Sequence, residues 1–143
     1  MKRLAILLLA FSCNLQAAEF RSVQEAAAVL YDAPSKAATP LYVVQRHYPL
    51  EVIVNLEAWV KVRDATGALS WIEKKSLGER RTLLVSGASA DVRERPEEGA
   101  PAVFSAAQNV TLELIDVAPN GWLHVRHADG ATGYVRAAQV WGN

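Results

Sequence analysis

Two short stretches alternate apolar and charged or aromatic residues with a period of two. They are Trp59-Val60-Lys61-Val62-Arg63 and Trp122-Leu123-His124-Val125-Arg126. That period predicts strands with Val60 and Val62, and Leu123 and Val125, turned to a core. Each is followed by a turn signal, Asp64-Ala65-Thr66-Gly67 and His127-Ala128-Asp129-Gly130. Gly supplies the positive φ that a tight hairpin needs. The return strands are then Ser70-Trp71-Ile72 and Gly133-Tyr134-Val135. Leu50 to Val54 and Leu112 to Val117 are aliphatic and partly β-branched, and predict further strands. Pro34 and Pro96 lie in polar, charged segments that cannot be central strands. The Ala-rich stretch from Gln24 to Leu30 has helical composition. Its second-half counterpart carries Gly87 and Ser89, so its end is read as strand.

These pieces are two copies of one unit. A shift of 62 residues superposes Ala28 on Ala90, Pro34 on Pro96, Leu50-Glu51 on Leu112-Glu113 and Ile53 on Ile115. A shift of 63 then superposes Trp59 on Trp122, Val62-Arg63 on Val125-Arg126 and Gly67 on Gly130. One residue is therefore inserted before the second Trp. The expected divisions are 1–18 as a leader, 19–78 as the first unit and 79–143 as the second, joined near Gly78-Glu79-Arg80-Arg81.

The ordered set Asp91-Val92-Arg93-Glu94-Arg95-Pro96, Thr111 to Ile115, Gly121-Trp122-Leu123-His124-Val125 and Gly130-Ala131-Thr132-Gly133-Tyr134-Val135 resembles the bacterial SH3 (SH3b) domain family. The first unit resembles a diverged copy, with Ala58 where Gly is usual and Ser70 where the second unit has Gly133. The resemblance implies an all-β chain of two tandem SH3-like five-stranded small barrels. It also implies long first loops at 31–41 and 93–103, second loops at 54–58 and 116–121, and a 3₁₀ turn at 73–76 and 136–139. The residues Ala28-Val29-Leu30-Tyr31-Asp32 resemble the opening of eukaryotic SH3 domains. The 3₁₀ regions lack the Pro and Tyr of a polyproline groove, so a proline-helix ligand is not expected.

The N-terminus reads as an address. Lys2 and Arg3 precede the apolar run Leu4 to Phe11, and small residues follow at Ala17 and Ala18. This is the pattern of a secretory signal peptide cut near Ala18–Glu19, with a buried N-terminal helix as the competing reading. The run is far shorter than the ~20 residues of a spanning helix. Cys13 fits a lipoprotein signal poorly, because Ala10 and Phe11 stand where Leu and a small residue are preferred. The expected location is exported, periplasmic or secreted.

Composition adds exclusions. The chain holds 15 basic and 15 acidic residues, and losing Lys2 and Arg3 leaves 13 against 15, a net of −2. Such a balance does not suit non-specific nucleic-acid binding. The single Cys lies in the leader, so the exported chain has no disulfide and depends on its cores.

Candidate chemistry is sparse, and no cofactor or metal is expected. His124 and His127, three apart at a strand end, point to opposite faces. His47 aligns with Asn109, which places it in a loop. Lys74-Lys75 with Arg80-Arg81 form a basic cluster near the junction, read either as a contact for an anionic polymer or lipid, or as a charged linker surface. The aromatic residues Tyr31, Trp59, Trp71, Trp122 and Tyr134 are the candidate ligand-binding set. Trp59 and Trp122 fall on the strand face opposite the core valines, as platforms for peptide or sugar or as lids on their own barrels.

Three functions are weighed. The leading one is a non-enzymatic binding module of the cell envelope. It would hold a peptide, a cell-wall polymer such as peptidoglycan through its stem peptide, or an envelope protein partner; the wall link comes from the family resemblance. The second is a structural scaffold with no small ligand, whose barrels pack through buried, mutually contacting Trp residues. The third, an enzyme, would need a cleft that gathers His124 or His127 with an acidic residue.

Overall fold

The structure, a computed structural model, describes residues 16–143. The leader pattern up to residue 15, Cys13 included, lies outside the described residues. Among the described residues no helix is long and apolar enough to cross a membrane.

The first unit contains seven strands: β1 (Glu19–Val23), β2 (Ala27–Tyr31), β3 (Pro40–Gln45), β4 (Pro49–Asn55), β5 (Trp59–Arg63), β6 (Leu69–Glu73) and β7 (Leu77–Gly78). The second repeats them as β8 (Thr82–Val85), β9 (Ser89–Arg93), β10 (Ala102–Ala107), β11 (Thr111–Ala118), β12 (Trp122–Arg126), β13 (Thr132–Arg136) and β14 (Val140–Trp141). Each set forms one antiparallel sheet, ordered β3-β2-β6-β5-β4-β1-β7 and β10-β9-β13-β12-β11-β8-β14. The chain is all-β, as two tandem SH3-like domains.

Seven strands stand where five were expected. The additions are the opening strands β1 and β8, and the returning arms of the long loops, β3 and β10. The backbone of these segments satisfies its hydrogen bonds by pairing: β1 lies against β4 and β7, and β3 lies against β2. The parts of the long loops outside the strands shrink to 32–39 and 94–101. The 3₁₀ turns occupy Lys74–Ser76 and Ala137–Gln139, within the expected segments.

Each sheet curls around one apolar core. In the first unit Val23, Leu30, Leu50, Val62 and Ile72 are buried, with Leu77 packed against them. The second holds Leu83, Val85, Val92, Leu112, Val125 and Val135. Strands from both edges and the middle of a sheet reach the same core, which a flat sheet does not allow. Full burial of such an aliphatic side chain contributes about 1.5–3 kcal/mol. Val60, Val62, Leu123 and Val125 are all buried, as the alternation predicted. The inserted residue of the second unit falls in the Pro119–Gly121 turn, where Asn120 and Gly121 have φ of 59° and 79°.

The units meet in a tight joint. The Thr82 hydroxyl donates to the His47 carbonyl at 2.6 Å, and the Ser22 hydroxyl donates to the Arg80 carbonyl at 2.6 Å. Phe20 and Trp141 meet edge to face, with ring centres 5.1 Å apart. The Arg81 guanidinium lies 5.7 Å from the Phe20 ring centre and donates to the Gly142 carbonyl at 2.9 Å.

Candidate functional site

Strand pairing decides which aromatic side chains share a face. In the first unit Tyr31 stands opposite Trp71, Lys61 opposite Trp71, and Trp59 opposite Glu73. With Val60, Val62 and Ile72 facing the core, these residues lie together on the outside of β2, β6 and β5. Tyr31 and Trp59 meet edge to face at 5.6 Å and 84°, an arrangement that suits the ring quadrupoles. Lys61 Nζ sits 5.9 Å from the Trp71 ring centre. Tyr31, Trp59 and Trp71 are each partly exposed. Lys36, in the long first loop, pairs with Glu73 at 3.3 Å and ties that loop to the border of the aromatic face.

The second unit has the same register with different chemistry. Arg93 takes the place of Tyr31, and its guanidinium is engaged by the Ala100 carbonyl at 2.8 Å and by Asp91 at 3.6 Å. Tyr134 stacks on His124 with ring centres 4.7 Å apart and planes 14° from parallel. Arg136, the counterpart of Glu73, lies 4.7 Å from the Trp122 ring centre and pairs with Glu98 from the loop. Of the two readings of Trp122, platform or lid, its 3 % exposure fits the lid. The cause is tertiary. Trp122 points away from the valine core as the alternation requires, but Arg136 lies over its ring. Leu114, Ala118 and Ala137 line the same hollow.

The five aromatic candidates thus divide. Three, all partly exposed, converge on the outer face of the first unit with Lys61 near Trp71; in the second unit Trp122 is buried, and Tyr134 is partly exposed with His124 stacked on it. The loop-to-strand ion pair is inverted between copies, Lys36–Glu73 in one and Glu98–Arg136 in the other. Sequence reading missed Phe20 and Trp141, whose contact across the joint needed both units placed.

His124 stands apart from His47 and His127. His124 lies on the outer face of β12. His127 lies in the β12–β13 hairpin, with its Nδ1 3.1 Å from Asp129 Oδ1 and its ring tilted on Phe104 at 5.5 Å. The Ala131 amide, then His127, hold the Asp129 carboxyl below the ordinary carboxylate range. His47 occupies a left-handed turn with φ of 72°, matched by Asn109 at 67°. A cleft of about 240 Å³ between the units gathers His47 and His127 with Glu113. Thr111 also lines it, but no hydrogen bond links its hydroxyl to either histidine among the described residues. Among the described residues no cluster of three or more His, Cys, Asp or Glu side chains is placed to hold a metal.

Comparison with known proteins adds three findings. No curated protein matches the chain. Among solved structures, NlpC2 from Trichomonas vaginalis is similar with 16 % identity and a TM-score of 0.41, over 91 % of this chain and 50 % of that one. NlpC1 from the same organism has 19 % identity and a TM-score of 0.41, over 98 % and 51 %. An NlpC/P60 family protein from Bacillus cereus has 16 % identity and a TM-score of 0.39, over 86 % and 56 %. The chain spans about half the length of these proteins. The bacterial SH3 domain model matches twice, at residues 24–79 and 86–142. With both copies matched in order over most of its length, the chain belongs to the bacterial SH3 domain family, a family of binding modules.

Proposed function

We propose that the protein is an exported, non-enzymatic binding module of the cell envelope that holds a peptide on the aromatic face of its first unit. The carrying observation is the difference between the copies. Tyr31, Trp59 and Trp71 are partly exposed together on one face, whereas in the second unit Trp122 is buried under Arg136 and leaves Tyr134, partly exposed, stacked on His124. Aromatic side chains offer large contact area with two χ angles each, so little entropy is lost on binding. Lys61 and the Lys36–Glu73 pair border the face with charges for a peptide's carboxylate and amine groups. The stem peptide of peptidoglycan and an envelope protein partner both have this chemistry. The leader pattern before Glu19 and the family support the location.

Purified sacculi provide the test. Trp59→Ala should lose retention on them, and Trp122→Ala should retain it once folding is verified. Retention unaffected by Trp59→Ala, or abolished equally by a folded Trp122→Ala, would refute the assignment of the site to the first unit.

A second reading, a scaffold without a small ligand, is favoured by the Phe20–Trp141 contact and the burial of Trp122. It predicts no retention on sacculi and capture of a protein partner that survives Trp59→Ala.

A further inference from the structure

The joint between the units concentrates positive charge on a polar hollow. The cleft of about 240 Å³ bounded by His47, Arg80, Thr111, Glu113, Arg126 and His127 shares His47 and Arg80 with a second hollow of about 460 Å³ that reaches Arg46. The groups come from three places in the chain: the β3–β4 turn, the linker, and strands β11 and β12 with the β12–β13 hairpin. The acids nearby have partners. Glu113 faces Arg126 at 3.5 Å, Asp129 faces His127 at 3.1 Å, and Glu79 faces Arg21 at 3.8 Å. Arg46 and Arg80 make no ion pair among the described residues. Two unpaired guanidinium groups near an imidazole repel one another, and the fold fixes the His47 backbone at this place. The His47 amide donates to the Val23 carbonyl at 2.8 Å, and its carbonyl accepts the Thr82 hydroxyl.

We propose that this joint is an oxyanion site, in which Arg46, Arg80 and His47 take a phosphate-type dianion. Two permanent guanidinium charges match a dianion, whereas a single carboxylate would leave one of them uncompensated. The planar fork of each Arg suits phosphate oxygens, and the imidazole adds a third donor. The hollow is open to solvent, so the phosphate group enters either free or as the head of a lipid. Burial, then Arg80, then Arg46, hold the His47 imidazole below its ordinary value, while Glu113 acts in the opposite direction. Arg126, His127 and Glu79 line the same two hollows and belong to the same electrostatic balance. A bound dianion reverses the dominant sign of the field at His47. The site is distinct from the aromatic face and stands or falls independently of it.

The test is an NMR pH titration of the His47 ring in the purified chain, in inorganic phosphate and in sodium chloride of matched ionic strength. Phosphate should raise the His47 midpoint saturably, with a Kd on the order of 1–10 mM. The double variant R46Q/R80Q, altered at two exposed positions, should keep its fold and weaken that effect at least about tenfold. Co-sedimentation with phosphatidic acid vesicles, against phosphatidylcholine vesicles, separates the sources. Binding to the former that inorganic phosphate displaces assigns a lipid headgroup, and no binding assigns a free phosphate. A His47 midpoint indifferent to phosphate at matched ionic strength, or a shift of equal size in R46Q/R80Q, would overturn the proposal.

Discussion

Replacing Gly133 by Ala puts a methyl group where β13 crosses β9. A Cβ there would lie 2.6 Å from a γ-methyl of Val92 and 2.7 Å from the Arg93 carbonyl oxygen. Both are too close for ordinary contact, and the carbonyl belongs to a paired strand that cannot swing aside. Val92 is itself fully buried in the second core. Overpacking of this kind costs about 1–3 kcal/mol. Gly133 has no left-handed φ, so Ala also restricts the unfolded chain and recovers about 0.4–1 kcal/mol. The net expectation is a loss of about 1–2 kcal/mol. The equivalent position in the first unit holds Ser70, whose buried hydroxyl has no hydrogen-bond partner. Ser70→Ala removes an unsatisfied group and should raise stability by about 1 kcal/mol. Urea unfolding followed by Trp fluorescence reports on both units, through Trp59 and Trp71 in one and Trp122 and Trp141 in the other. A lower midpoint at unchanged slope measures the loss. A Gly133→Ala protein as stable as the parent would refute the close approach of β9 and β13. Equal destabilisation by Ser70→Ala would refute the claim that its hydroxyl is unpaired.

Thr82→Val keeps shape but leaves the His47 carbonyl without its 2.6 Å partner at the joint. It should cost about 1–2 kcal/mol and split a single unfolding transition toward two, as calorimetry would show. Trp122→Ala should destabilise the second unit by about 3–5 kcal/mol, whereas the partly exposed Trp59 should cost clearly less, a contrast that the same urea series measures. The depressed His47 value gives stability a defined pH slope. The folded state binds fewer protons than the unfolded state, whose imidazole titrates near 6.5, so stability falls as pH drops below that value toward the folded one. His47→Asn, which suits the left-handed turn as Asn109 does, should flatten that part of a stability–pH curve measured in chloride.

The sequence alone determined the duplication and the β architecture. Alternation with period two needs only the strand geometry of the chain. Trp59, Val60, Val62 and their counterparts therefore announced their faces without any partner in view. The hairpin glycines were equally local, since Gly67 and Gly130 have the positive φ, 90° and 94°, that their turns require. What tertiary structure decided was the fate of the outward-facing side chains. Trp59 and Trp122 carry the same local signal, yet one borders an open face and the other lies under Arg136, a residue 14 positions further along the chain. The convergence of Arg46, His47 and Arg80 was likewise invisible, because it arises where two separately folded sheets meet. Direction along a strand is written in neighbouring residues, but exposure depends on what the rest of the chain places above that strand.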